Sequence, residues 1–246
     1  QLAVARSFGA EQMAGVATAA FRKATNGPPF LLDLKTRTGI GLKIVSQEQE
    51  AALGFVTATS LCQHLAMHEI VAWDSGGGSF QISADWDGEI KSWLRPVGSG
   101  VATGELVTKV MGKDFSECPS PNPVSLEHAQ ALAARLRKTI GPPPQWLVTK
   151  LAISHVSLVG IGGDMSIFRL ASELCGKTTF TASDVLESIE NMCTKTDSDF
   201  RKLEGVPAAN KMPHNVIPKL VLLYVVLDVT GASGVSFQES NGNLPG

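Results

Sequence analysis

Hydrophobic and polar positions recur with different periods along the chain, and each change of period predicts a new element. Residues 1–14 have helical spacing, and AGVAT predicts a short strand that leads into a helix ending at Asn26-Gly27. GLKIVS predicts a second strand. The helical segment QEQEAALGFVTATSLC follows it, with Ser46 at the N-cap position and acidic residues in the first turn.

The middle of the chain predicts three consecutive strands in HEIVAWDSGGGSFQISADWDGEIKSWLRPVG, with turns at the glycines and at Trp86-Asp87-Gly88. GELVTKVMGKD predicts a helix, and after a loop rich in proline and serine SLEHAQALAARLRKTIG predicts an amphipathic one.

The last third predicts a strand, a glycine turn and a helix in SHVSLVGIGGDMSIFRLASELCG. TASDVLESIENMC predicts a capped helix with Thr181 or Ser183 at the cap, PHNVIPKLVLLYVVLDVTG a long apolar helix, and GVSFQES a closing strand. Strands alternate with helices throughout, which indicates an α/β protein.

Composition excludes several classes of protein. The chain has 246 residues, 18% charged residues and a net charge of −2, so neither a nucleic-acid surface nor a basic membrane face is expected. The most apolar segment, residues 216–229, is too short to span a bilayer. The four scattered cysteines form no CxxC pair, which favours free thiols and a reducing compartment, the cytoplasm or an organelle matrix.

Two glycine turns are candidate phosphate sites. Gly76-Gly77-Gly78-Ser79 joins two predicted strands, and glycines let phosphate oxygens approach backbone N–H groups. Asp74, before this turn, could hold a metal ion or its water. The second turn, with Gly160, Gly162 and Gly163, opens a helix whose N-terminus attracts anions. A plain hairpin turn and a plain strand-to-helix turn are the alternatives.

Several blocks, in order, resemble the Ppx/GppA family of exopolyphosphatases and guanosine pentaphosphate phosphohydrolases. VATAAFRKATN is similar to a block in which Thr-Ser-Ala leads to Arg, Glu, Ala and Asn, and GLKIVSQEQEAALGF to one ending in Glu-Glu-Ala. VAWDSGGGSFQIS resembles the family's second phosphate loop and LVGIGGDMSIFRLA its Gly-x-Gly-Gly-Thr loop. The resemblance implies a two-lobed actin/Hsp70/sugar-kinase (ribonuclease H-like) α/β fold. It also implies hydrolysis of terminal phosphoanhydride bonds in polyphosphate or guanosine pentaphosphate with Mg²⁺ or another divalent cation.

The resemblance also assigns roles to residues. Glu50 matches the family's base that activates water, Arg22 its phosphate-contacting arginine, and Asp74 its metal-associated aspartate. The two glycine turns match its phosphate-binding loops, at Gly76, Gly77, Gly78, Ser79, Gly160, Gly162 and Gly163.

The chain departs from the family pattern at several points. The family's first phosphate loop, Asp-x-Gly-Ser-Asn, is not found, and Gln81 replaces the acid that ends the second loop. Asp164 follows the other loop where the family has threonine, and Pro213-His214-Asn215 stands where it has Arg-Ala-Asp. Residues 242–246, with Leu244, lack the arginine of its closing segment. These losses favour an alternative to the enzyme, namely a catalytically degenerate relative that binds nucleotide or serves as a structural subunit of a larger assembly. Another member of the superfold, such as a kinase, is a further alternative.

Residues 1–66 are expected to be the remainder of the first lobe, and residues 67–246 the second lobe with both glycine loops. An incomplete first sheet would expose an edge, so we expect another chain or segment to cover it, in a homodimer or a larger complex.

Two further candidates are weaker. His64 and His68 have the i, i+4 spacing of a helical metal pair, although the segment reads as a helix end running into a strand. Trp73, Trp86 and Trp93 are expected to be packing residues rather than a stacking platform.

Overall fold

Two β-sheets organise residues 2–240, the part of the chain that the computed structural model describes. The strands are Ala14–Ala17 (β1), Gly41–Ile44 (β2), Ile70–Ser75 (β3), Phe80–Trp86 (β4), Glu89–Arg95 (β5), Ser157–Gly162 (β6), Thr179–Phe180 (β7) and Val235–Glu239 (β8). The α-helices are Leu2–Ser7 (α1), Ala19–Lys23 (α2), Gly27–Thr38 (α3), Gln47–Leu61 (α4), Ser99–Glu105 (α5), Leu126–Ile140 (α6), Gln145–Leu151 (α7), Ile167–Cys175 (α8), Ala182–Met192 (α9), Asp197–Arg201 (α10), Pro207–Lys211 (α11) and Val216–Thr230 (α12).

The smaller sheet pairs β1 with β2 in parallel, and the larger one has the strand order β5-β4-β3-β6-β8-β7. Strands β3, β6 and β8 run parallel at its centre, while β4 and β5 continue from β3 as an antiparallel meander. The α/β class is confirmed. In a parallel arrangement the carboxyl ends of β3 and β6 lie at the same edge, so both glycine turns meet there.

Successive side chains of a strand point to opposite faces, so the hydrophobic core is divided between the two faces of the larger sheet. Val71 and Trp73 point to the face covered by α6, α8, α9 and α12. Ile70 and Ala72 point to the other face and pack with Phe55 of α4. Helix α12 is apolar on all sides and buried along most of its length, as expected for a helix enclosed by neighbours.

Helix α4 lies in the interval predicted to belong to the first lobe, yet it packs on the sheet of the second. It therefore connects the interval 1–66 to the larger sheet. The division at residue 66 and a covering partner for the smaller sheet stay predictions.

Most of the predicted elements are confirmed, including the Ser46 cap of α4 and the Thr181 cap of α9. The helix predicted to stop at Asn26-Gly27 ends at Lys23, and α3 begins directly at Gly27 with prolines in its first turn. The predicted helix GELVTKVMGKD begins earlier, as α5, and continues as the π-helical turn Leu106–Val110. The helices α7, α10 and α11 and the strand β7 are too short to show a period and were not predicted.

Candidate active site

The residues 76–79, here called the glycine loop, join β3 to β4 and are held from behind by α5. The carbonyl oxygens of Gly76 and Gly77 accept hydrogen bonds from the N–H groups of Ser99 (3.0 Å) and Gly100 (2.9 Å). Within residues 2–240, the N–H groups of Gly77 and Gly78 have no backbone acceptor. The loop thus turns its carbonyls to a helix start and leaves backbone donors for an anionic ligand.

Helix α2 lies against the same loop and brings a lysine to it. The point where Gly78 would carry a Cβ is 3.1 Å from Ala19 Cβ and 4.0 Å from Lys23 Nζ. Lys23 is exposed, and no carboxylate lies within ion-pair distance of it in the described part of the chain. Its charge is therefore available to a ligand bound at the loop. The sequence reasoning passed over Lys23, although it occupies the position after Arg22 where the similar block has glutamate.

The two predicted catalytic residues are brought together. Glu50 Oε2 lies 2.8 Å from Arg22 Nη1, and their side chains are 13% and 21% exposed. Arg22 Nη1 also donates a hydrogen bond to the carbonyl of Val45 at 3.0 Å, so the guanidinium is held by both Val45 and Glu50. Glu50 Oε2 accepts no well-aligned hydrogen bond from the described residues, so its contact with Arg22 is one of charge.

The start of α4 is anchored beside the glycine loop. A capping box between Ser46 and Gln49 satisfies the helix start. Gln47 Nε2 then donates to the carbonyl oxygens of Phe80 (3.2 Å) and Arg95 (3.3 Å), which are the first residue of β4 and the last of β5. Because β4 begins where the glycine loop ends, these bonds place the first turns of α4, including Glu50, at that edge of the sheet.

Asp74 lies on the α4 side of the same edge. It is 5% exposed and pairs across the strands with Gln81 of β4 and Ile161 of β6. Gly54 permits the close packing of α4 there, since a Cβ on it would lie 3.6 Å from Asp74 Cβ. Glu50 is one helical turn before Gly54, about 6 Å along the axis, and therefore shares this face.

The second glycine turn is packed more tightly. A Cβ on Gly160 would lie 2.4 Å from Phe168 Cδ1, and one on Gly162 would lie 2.4 Å from Ser166 Cβ. These two glycines therefore let α8 approach β6 closely. Gly163 follows them, and its carbonyl accepts from Ser166, the N-cap of α8, at 2.9 Å. Phosphate binding by this turn stays a prediction.

A buried lysine of α12 donates a hydrogen bond to the backbone beside the second glycine turn. Lys219 of α12 is 3% exposed and donates from Nζ to the carbonyl of Met165 at 2.8 Å. Burial lowers the pKa of Lys219 to about 8, because a desolvated ammonium is less stable than a hydrated one. Asp164 lies 3.8 Å from Lys211 on the exposed side of the turn, so part of its charge is offset.

The model of the Ppx/GppA phosphatase family matches residues 2–229. The chain belongs to this family. Exopolyphosphatase 1 of Mycobacterium tuberculosis and that of Mycobacterium bovis are each 28% identical to it over 235 residues, covering 89% of this chain. The chain spans 61% of the length of these relatives.

Solved structures support the same fold. The crystal structure of an exopolyphosphatase-like protein has a TM-score of 0.75 at 17% identity, covering 99% of this chain and 78% of that one. The structure of an exopolyphosphatase from Cytophaga hutchinsonii has a TM-score of 0.69 at 14% identity, covering 97% of this chain and 74% of that one. The structure of the Aquifex aeolicus member of the Ppx/GppA family has a TM-score of 0.68 at 16% identity, covering 97% of this chain and 73% of that one. The actin-like fold expected from the sequence is therefore confirmed.

The structure gives partners to two of the residues that depart from the Ppx/GppA pattern, Gln81 and Asn215. Gln81 is 2% exposed and its Nε2 donates to Ser79 Oγ at 3.2 Å, while its Oε1 is buried without a partner among the described residues. Asn215 Oδ1 accepts from Thr103 Oγ1 at 2.9 Å. The closing residues 242–246, including Leu244, lie outside the described residues.

The weaker candidates are also resolved. His64 and His68 do not share a helix, because α4 ends at Leu61, so the i, i+4 metal pair is wrong. Trp73 and Trp93 are buried and pack edge-on against Phe80, which confirms packing roles for both.

Two broader expectations can be compared with the structure. The cysteines are free thiols, as expected, at Cys62, Cys118, Cys175 and Cys193. No helix in residues 2–240 is long and apolar enough to cross a membrane.

Proposed function

We propose that this chain is a metal-dependent phosphohydrolase that removes the terminal phosphoryl group of inorganic polyphosphate or guanosine pentaphosphate. The observation that carries the proposal is the Glu50–Arg22 ion pair at 2.8 Å, on a helix start anchored beside the glycine loop. A carboxylate and a guanidinium beside N–H groups that have no backbone acceptor in residues 2–240 supply what phosphoryl transfer to water needs, namely a base and stabilisation of charge.

The roles follow from the chemistry of each group. Glu50 accepts the proton of the attacking water, and Arg22 both orients this carboxylate and attracts phosphate oxygens. The N–H groups of Gly77 and Gly78 bind the terminal phosphoryl group, and the Lys23 ammonium adds positive charge from the α2 side. The product is inorganic phosphate and a substrate shortened by one phosphoryl group.

Oxygen donors at this edge fit a magnesium ion. Asp74 offers a buried carboxylate, and Gln81 Oε1, its cross-strand neighbour, is a buried oxygen without a partner in residues 2–240. Mg²⁺ prefers oxygen ligands and is commonly bound by one or two protein groups together with substrate phosphates. Bound there, the ion would neutralise phosphate charge. The amide supplies an oxygen but no negative charge, so the protein contributes less charge to the metal than two carboxylates would.

A catalytically degenerate relative, binding nucleotide or acting as a structural subunit, is the second candidate. The observation that favours it is that amides, Gln81 and Asn215, occupy positions where the family pattern has acids. Under this alternative the glycine loop keeps an anion-binding role without turnover. A compartment with reduced thiols remains our prediction for either candidate.

Phosphate release distinguishes the two candidates. The wild type is incubated with Mg²⁺ and either polyphosphate or guanosine pentaphosphate, beside Glu50→Gln and the matched control Glu48→Gln. Glu48 is an exposed acid in the same first turn of α4. We expect loss of a catalytic base to lower kcat by about 100-fold or more in Glu50→Gln and to leave Glu48→Gln close to the wild type. No release by folded wild type on either substrate would overturn the proposal in favour of the degenerate relative.

A further inference from the structure

Three side chains with metal-binding groups meet at the end of the larger sheet that is remote from the glycine loop. The ligand atoms of His68, Glu69 and His155, two imidazole nitrogens and one carboxylate oxygen, all lie within 4.8 Å of one another. The two histidines are exposed and Glu69 is half-buried, so the group is open to solvent on one side. The two imidazole rings stand nearly perpendicular, at 78°, with centroids 6.5 Å apart.

Strand register explains why residues so far apart in sequence meet. His68 and Glu69 belong to the short 3-10 helix Met67–Glu69, which leads directly into β3. His155 comes two positions before β6. Strands β3 and β6 are parallel, with Ile70 paired to Ser157, so the residues just before each strand lie side by side.

The donor set suits a transition metal of the zinc class. Two imidazole nitrogens and one carboxylate are a common three-ligand set for Zn²⁺, with a water completing a tetrahedron. Ligand atoms around such an ion are about 3.3 Å apart, given metal–ligand distances of about 2.0–2.1 Å. Atoms already within 4.8 Å reach that spacing by small rotations, which exposed side chains can make.

The carboxylate is partly oriented for this role. Glu69 Oε2 accepts a hydrogen bond from the N–H of Ala66 at 2.7 Å, which fixes the side chain and leaves its second oxygen for a ligand. A hydrogen bond of this kind positions a metal ligand and limits the entropy lost on binding.

The group is separate from the proposed magnesium site. Glu69 precedes the first residue of β3, whereas Asp74 is near its last, so the two lie about 15–20 Å apart at the rise of a strand. Their chemistry differs as well, since imidazole nitrogens favour zinc-class ions and all-oxygen donors favour magnesium.

We propose that His68, Glu69 and His155 bind one zinc-class divalent ion that links the start of β3 to the loop before β6. The two segments are distant in sequence and meet only in the folded chain, so the ion binds the folded state and stabilises the sheet. This site goes beyond the proposed phosphohydrolase function and does not depend on it.

Zinc binding to purified protein, freed of metal by a chelator, tests the site without any substrate. Titration calorimetry with Zn²⁺ in the presence of millimolar Mg²⁺ is carried out on the wild type, His68→Ala, His155→Ala and the control His64→Ala. His64 is an exposed histidine four positions before His68 in the sequence and does not belong to the group. We expect one equivalent of Zn²⁺ on the wild type and His64→Ala, and at least tenfold weaker binding to the other two variants.

Thermal unfolding supplies an independent measurement. One equivalent of Zn²⁺ should raise the Tm of the wild type and of His64→Ala, and should not raise that of His155→Ala. Circular dichroism confirms that each variant is folded before titration. Absence of stoichiometric binding to the wild type, or wild-type affinity in either His68→Ala or His155→Ala, would overturn the proposal. An equal loss in His64→Ala would likewise show that surface histidines bind the ion without a defined site.

Discussion

Gly98 is the position at which one added methyl group should displace the glycine loop. It precedes α5 with φ −132° and ψ −174°, an extended conformation that alanine adopts without strain. A Cβ there would lie 2.4 Å from Gly76 O and 2.5 Å from Gly77 C. Gly98→Ala therefore acts through collision with the loop backbone rather than through backbone strain at the substituted residue.

The size of the effect follows from these contacts. Ordinary van der Waals contact begins at 3.4 Å, so the loop and α5 must separate by about 1 Å. That separation weakens the two hydrogen bonds from Ser99 and Gly100 to the loop carbonyls. Overpacking of this kind costs about 1–3 kcal/mol and each weakened hydrogen bond up to about 1 kcal/mol. Alanine also lowers the conformational entropy of the unfolded chain relative to glycine, which offsets about 0.4–1 kcal/mol of this destabilisation. We expect a net destabilisation of about 2–3 kcal/mol.

Gly104 provides a matched control in the same helix. A Cβ there meets nothing within 4 Å, so Gly104→Ala should stabilise the helix by about 0.5–1 kcal/mol. Urea unfolding followed by tryptophan fluorescence gives both values, and phosphate release gives the effect on the site. Opposite signs for the two substitutions are expected, with reduced kcat/KM only in Gly98→Ala. A Gly98→Ala variant as stable and as active as Gly104→Ala would refute the argument that α5 supports the loop.

Two further substitutions test single charges. Lys23→Ala should raise KM for the phosphorylated substrate about two- to fivefold, because an exposed cation contributes modestly to anion binding. Lys35 on α3 is also exposed, and Lys35→Ala serves as the control that should leave KM unchanged. The folded-state pKa of Lys219 is about 8, against an ordinary value of 10.5, so between these two pH values the unfolded state binds more protons and stability rises with pH. Relative to Lys219→Met, the unfolding free energy of the wild type should rise by about 1–2 kcal/mol from pH 7.5 to 9.5, and a constant difference would contradict the buried charge.

Local signals in the sequence predicted the elements that frame the site. The Ser46 cap and the alternation on either side of the glycine loop are short-range features, and α4, β3 and β4 follow them closely. Helix α3 was missed because Pro28 and Pro29 directly follow Asn26-Gly27 and read as a break. Proline is nonetheless favoured in the first turn of a helix, where no intrahelical acceptor awaits its missing N–H.

Contacts that depend on strand register could not be read from the sequence. The approach of Lys23 to Gly78 needs the packing of α2 against the glycine loop, and the meeting of Glu69 with His155 needs the β3–β6 pairing. Neither relation leaves a local pattern. The resemblance assigned roles to Glu50 and Arg22 separately, because each lies in a block of the family pattern, and it gave no reason to expect their direct contact.

Three departures from the family pattern share one electrostatic direction, and the opposite contribution of Asp164 is partly offset by Lys211. Gln81 and Asn215 each remove a negative charge relative to an acid, and Lys23 replaces a negative charge with a positive one. A site with fewer negative charges attracts a polyanion with less help from a divalent ion. This property is compatible both with catalysis and with phosphate binding alone. Substitution of the proposed base, Glu50, distinguishes the two cases. A binding protein would lose affinity in Lys23→Ala and keep it in Glu50→Gln. An enzyme would lose turnover in Glu50→Gln at nearly constant KM.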